Sequence, residues 1–163
     1  MIFDFHTKVA NSCILRNFWA VKSNKLFTFI PLKESMDRKI IAVAAVLGAV
    51  GIILGAFGAH ALKEALEPES LAVFETGVKY QMYHALFLLF IGTTPLVAPK
   101  AKKAILALVV TGILFFSGSI YLLACNSLFT FDFKTIGFIT PIGGLLLISA
   151  WVVLFFHIIR RER

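Results

Sequence analysis

A chain of 163 residues that is 59% hydrophobic and only 15% charged, with a mean hydropathy of +0.88, is too apolar for an ordinary soluble domain, which is about half apolar and about one-quarter charged. Its net charge of +7 would suit nucleic acid if the cations shared one surface. They gather instead at the ends of apolar segments, which excludes a nucleic-acid partner and makes the lipid bilayer the expected one.

Residues 1–35 are mixed, basic and aromatic, with no charge-free run long enough to span a membrane. Asp4 falls where a signal peptide would carry positive charge. "MDRKIIAVAAVLG" then reads as a fresh start: a Met, a basic pair, a spanning helix. The expectation is that Met36 initiates the protein and that 1–35 is an over-extended or disordered arm before a membrane domain at 36–163.

Four runs contain no Asp, Glu, Lys or Arg: 23 residues over 40–62, 20 over 80–99, 28 over 104–131 and 25 over 135–159. About 20 apolar residues cross a bilayer core as a helix. Barrel strands would alternate polar and apolar residues, and "IIAVAAVLGAVGIILGAF" does not. The predicted fold is an all-α bundle of four transmembrane helices at about 39–59, 78–98, 104–124 and 136–159, with a short amphipathic outer segment between the first two.

Along the first helix Ala44, Gly48, Gly51, Gly55 and Gly58 recur at spacings of four and three, one stripe of a helix. Small residues let helices approach closely in lipid, so the stripe reads as a packing seam, within the chain or between copies of a possible homo-oligomer. Glu67-Pro68-Glu69-Ser70 reads as a helix start. Leu71, Phe74, Val78 and Met82 then form a stripe expected to lie along the outer interface and to turn inward at Gly77. Pro95 and Pro99 are expected to close the second helix. The fourth has Pro141 near its first turn, followed by Gly143-Gly144 as a second packing element.

Loops on alternate sides hold thirteen and three Lys/Arg, which puts both termini in the cytoplasm. Cys13 and Cys125 fall on opposite sides and so do not pair, and neither has the spacing of a zinc site.

The remaining polar residues fall near the outer face. His60 ends the first helix; Tyr80, Gln81 and His84 share a side of the second; Ser117 and Ser119 lie on the third, Thr140 on the fourth. One reading makes them interfacial anchors and interhelical glue. The sharper reading gathers them into a hydrated outer pocket with His84 as hub and His60 opposite. A metal would need His60 and His84 with Glu75 as the third ligand, and two histidines on separate helices without a firm third are weak evidence for one, so none is expected. No motif implies a cofactor. There is no Ser/His/Asp set, no G-x-S-x-G elbow, no H-E-x-x-H and no phosphate loop. The expected function is therefore non-enzymatic: structural, regulatory or binding of a small, unknown ligand. The alternative is a transporter component acting as an oligomer, although the two halves do not repeat as transporter halves do.

The blocks "LGAFGAHAL", "FETGVKYQMYHAL", "FSGSIYLLA" and "ITPIGGLLLISAW" occur in order. Together they resemble the family called domain of unknown function 423, from Met36 to about Phe155. The resemblance implies a small helical membrane protein of the bacterial inner-membrane type. It implies no activity.

Overall fold

Residues 35–161 are described in a computed structural model; the arm expected at the N-terminus, with Cys13, lies outside the described residues. The described chain is helical, with four long helices: α1 (Ser35–Phe57), α2 (Pro68–Thr93), α3 (Pro99–Ala124) and α4 (Ile139–Arg161). A π turn, Gly58–Leu62, and a single α turn, Lys63–Ala65, lead out of α1. Two 3-10 turns, Asn126–Leu128 and Phe133–Ile136, separate α3 from α4.

The boundaries correct the expected ones where proline decides them. Glu67 and Ala98 are extended, and Pro68 and Pro99 follow as first helical residues, where a missing N–H costs nothing. Pro99 thus opens α3 and does not close α2, which ends at Thr93 before Pro95. The separate amphipathic segment does not exist either. Its residues are the first turns of one continuous 26-residue α2, and Gly77 is no bend. Gly77 is a seat for Tyr121: a Cβ there would fall 2.7 Å from Tyr121 Cε1.

Neighbouring helices run antiparallel. A Cβ on Gly92 would lie 2.7 Å from Ile41 Cγ1, and Cβ atoms on Gly48, Gly55 and Gly58 would meet Ala85, Val78 and Phe74 at 3.9, 3.5 and 3.2 Å. As α1 ascends, α2 descends beside it. The glycine stripe is therefore covered by α2 of the same chain, which leaves it unavailable as a seam between copies. The α3–α4 contact is closer still. A Cβ on Gly112 would fall 2.6 Å from Leu147 Cδ2, and one on Gly143 would collide with the backbone of Phe115 and Phe116. Gly144 stands back, 3.6 Å from the Phe116 ring.

The main core is aliphatic and includes Ile40, Leu88, Ile91, Ile105, Val109, Leu147 and Ala150. A smaller cluster at the other end buries Leu62 and Leu66 against Phe74 and Ala124. Three stretches are long and apolar enough to cross a membrane: Met36–Ala65, Pro99–Ala124 and Phe133–Arg160. α2 falls short of that measure because Glu75, Lys79, Gln81 and His84 interrupt its apolar run.

Candidate functional site

Two polar side chains of α2, Gln81 and His84, point into the bundle. Gln81 is buried and joins three helices: its Nε2–H donates to the Leu47 carbonyl on α1 at 2.9 Å, and its Oε1 accepts from the Tyr121 hydroxyl on α3 at 2.9 Å. The Leu47 carbonyl, bonded within its own helix, has a second lone pair to offer. Gly51 faces the amide so closely that a Cβ there would stand 3.5 Å from Gln81 Nε2. Tyr121 is aimed by its ring, which packs on Phe74 at 4.9 Å between centroids and lies over Gly77.

His84, one turn further along, is 6% exposed. Its Nδ1 lies 2.8 Å from the Tyr80 carbonyl. A carbonyl only accepts, so Nδ1 carries the proton and, in the neutral ring, Nε2 keeps its lone pair. The imidazole stacks toward Tyr80 at 6.4 Å and meets the edge of Phe87 at 6.3 Å. His84 Nε2 and Ser117 Oγ are both buried and have no hydrogen-bond partner among the described residues. The Tyr80 ring touches that of Phe116, 4.8 Å between centroids, which sets Ser117 on α3 beside the turn of α2 that runs from Tyr80 to His84.

Ser119 and Thr140 form a separate link between α3 and α4, with hydroxyl oxygens 2.7 Å apart. Ser119 Oγ also lies against the Phe115 and Phe116 carbonyls, the latter at 3.0 Å. When its single proton turns to a carbonyl, Thr140 donates to Ser119.

Two expectations about this cluster are corrected. Its members do not share one depth, and His60 does not face His84. Gly58, two residues before His60, packs on Phe74, ten residues from His84 along α2, about 15 Å of rise. His60 itself is exposed, because two residues past Gly58 along the π turn is close to half a turn, away from α2. Tyr80 is 41% exposed and packs at the edge of the cluster. No group of three or more His, Cys, Asp or Glu side chains is placed to hold a metal among the described residues.

The other end of the bundle holds polar contacts that sequence reasoning missed. Lys102 Nζ and Asp37 Oδ1 are 2.7 Å apart, with the side chains 5% and 16% exposed, joining the first turns of α3 and α1. The Ala98 N–H donates to His157 Nε2 of α4 at 3.0 Å. Reading Pro99 as the first residue of α3 would have placed Lys102 on the helix and not in a loop. Beyond α3 at the opposite end, burial pushes the Cys125 thiol pKa up.

The fold is that of a small helical membrane protein. A family profile described as "Protein of unknown function (DUF423)" matches residues 54–144. A UPF0382 membrane protein of Staphylococcus aureus is 42% identical over 117 residues, covering 67% of this chain and 88% of the relative. One from Haemophilus influenzae is 36% identical over 119 residues, 73% and 92% of the two chains. The UPF0382 inner membrane protein YgdD of Escherichia coli is 30% identical over 132 residues, 78% and 94%. No solved structure matches. The chain belongs to the DUF423 family of membrane proteins.

Proposed function

We propose that this is a non-enzymatic membrane protein that crosses the bilayer four times and holds a small hydrogen-bonding ligand, water or a solute of similar size, between α2 and α3. The observation that carries the reading is the pair of buried, unpartnered atoms, His84 Nε2 and Ser117 Oγ. A buried polar atom without a partner costs about 1–3 kcal/mol, and a polar side chain within a membrane helix is a functional candidate for that reason. With Nδ1 committed to the Tyr80 carbonyl, neutral His84 offers an acceptor, so the ligand must donate. Ser117 can donate or accept. The neighbouring polar groups are engaged with one another: Gln81 with Leu47 and Tyr121, Ser119 with Thr140. That pairing supports binding over bond-making chemistry.

The antiparallel register supports a fourth crossing. α2 lies against α1 from Gly92 to Phe74, about 27 Å of rise, so it passes through the layer that α1 passes through. Its polar residues tolerate that position because Gln81 and His84 face protein. The cations support the orientation. Arg38, Lys39, Lys100, Lys102, Lys103 and Arg160 share one end, and Lys63, Lys79 and Lys134 fall toward the other, so the positive-inside rule puts both ends of the described chain on the cytoplasmic side.

The test is a double-mutant cycle of His84→Phe and Ser117→Ala in the full chain, read by thermal unfolding in lipid nanodiscs. Two groups sharing one ligand couple by more than about 0.5 kcal/mol. Additive changes, each stabilising, would mean that the two atoms are merely poorly satisfied core groups.

A further inference from the structure

A cleft of about 350 Å³ opens at the basic end of the bundle, lined by Ala101 of α3 and by Val152, Val153, Phe156, His157 and Arg160 of α4. Its lining is divided in kind. Val152, Val153 and Phe156 form an apolar strip along α4, and His157 and Arg160 stand where that helix nears its end. Both polar groups are donors. Ala98 N–H donates into His157 Nε2 at 3.0 Å, so the proton of the neutral ring sits on Nδ1. Arg160 is exposed and holds its guanidinium over the Phe156 ring, 5.8 Å from the centroid. A cation spread over an aromatic face keeps its outer N–H groups free for an anion.

The geometry points to a site for one anionic phospholipid in this cleft, its phosphodiester on Arg160 and the His157 Nδ1–H and an acyl chain along Val152, Val153 and Phe156. Charge complementarity selects the headgroup: Lys100 and Lys103 lie in the adjoining first two turns of α3, and no acid is among the described residues that line the cleft. The C-terminal end of α4 disfavours an anion through its dipole and the first turn of α3 favours one, so Arg160 decides the sign. The apolar strip selects a lipid over free phosphate, since an inorganic ion leaves those three side chains without an occupant. A basic cleft between membrane helices on the cytoplasmic side is where anionic lipid is bound.

The experiment uses the full chain in neutral detergent, with thermal unfolding and native mass spectrometry after adding phosphatidylglycerol, phosphatidylcholine or inorganic phosphate. The expected result is one retained phosphatidylglycerol, bound about fivefold more tightly than phosphatidylcholine, the factor that one basic residue contributes at an anionic surface. Arg160→Gln should remove that preference and Arg160→Lys should restore part of it. Val152→Trp, at an exposed position, should weaken both lipids by filling the strip. Arg38→Gln, an exposed cation at the same end, should leave the preference intact. Equal losses for Arg160→Gln and Arg38→Gln would overturn the site in favour of diffuse attraction. Stabilisation by inorganic phosphate equal to that by phosphatidylglycerol would overturn the lipid as occupant, as would a preference that appears only in a dimer. If Arg160→Gln fails to fold in phosphatidylcholine, the Val152→Trp and Arg38→Gln comparison decides alone.

Discussion

Two adjacent glycines on α4 give opposite predictions for the same substitution. A Cβ on Gly143 would stand 2.8 Å from Phe115 C and Phe116 Cα, and closer still to Phe116 N. All three are backbone atoms of α3, so no rotamer change relieves the clash and the helices must part by roughly 1 Å. A gap of that size forfeits about a quarter to a half of each contact it opens, and overpacking of this kind costs about 1–3 kcal/mol or more. Alanine returns about 0.5–1 kcal/mol through helix propensity. At Gly144 the new Cβ would sit 3.6 and 3.7 Å from the Phe116 ring, an ordinary contact, and only the propensity gain remains. Gly143→Ala should therefore destabilise by ~2 kcal/mol and Gly144→Ala should be neutral or stabilise by ~0.5 kcal/mol. Equilibrium unfolding in mixed micelles measures both. Equal effects would refute the α3–α4 register on which the bundle rests.

Gln81→Leu removes two interhelical hydrogen bonds and Tyr121→Phe only one; at about 0.6–1.7 kcal/mol each, the first should cost roughly twice the second in the same assay. Lys102→Met strands the Asp37 carboxylate and should cost ~3 kcal/mol, the low end for a broken buried pair because Asp37 keeps 16% exposure. Adding Asp37→Leu should recover most of that loss, and a double mutant no better than the single would contradict the pairing. Cys125, its thiol pKa raised by burial above the ordinary 9.0, should react with maleimide more slowly than free cysteine at neutral pH, and its rate should still be climbing where free cysteine has levelled off; a free-cysteine profile would mean that the α3 cap is open.

Composition and spacing carried the helical class, the four long helices and the close approach of α1 through its glycines, because each is a property of one helix at a time. Gln81, Ser119 and Thr140 stood out as polar residues in apolar surroundings, and their hydrogen bonds cross between helices. What sequence reading missed depended on pairs. Gly77 reads alone as a bend; only the Tyr121 ring lying on it makes it a seat. Lys102 reads alone as a loop cation; Asp37, 65 positions away, makes it half of a buried pair. His60 was misplaced for a local reason: the stripe through Gly51, Gly55 and Gly58 already fixed the face turned to α2, and two further residues carry His60 to the opposite one.

If α2 crosses the membrane beside α1 and carries the polar core with it, its two ends lie on opposite sides of the bilayer. Single cysteines at Glu69 and Lys100, exposed positions beside the two ends of α2, test it in a chain otherwise free of cysteine, with an impermeant thiol reagent applied to intact cells. Glu69→Cys should be labelled from outside and Lys100→Cys only after the membrane is opened. Equal labelling at both positions before lysis, or protection of both, would put the two ends of α2 on one side and contradict the four-span bundle.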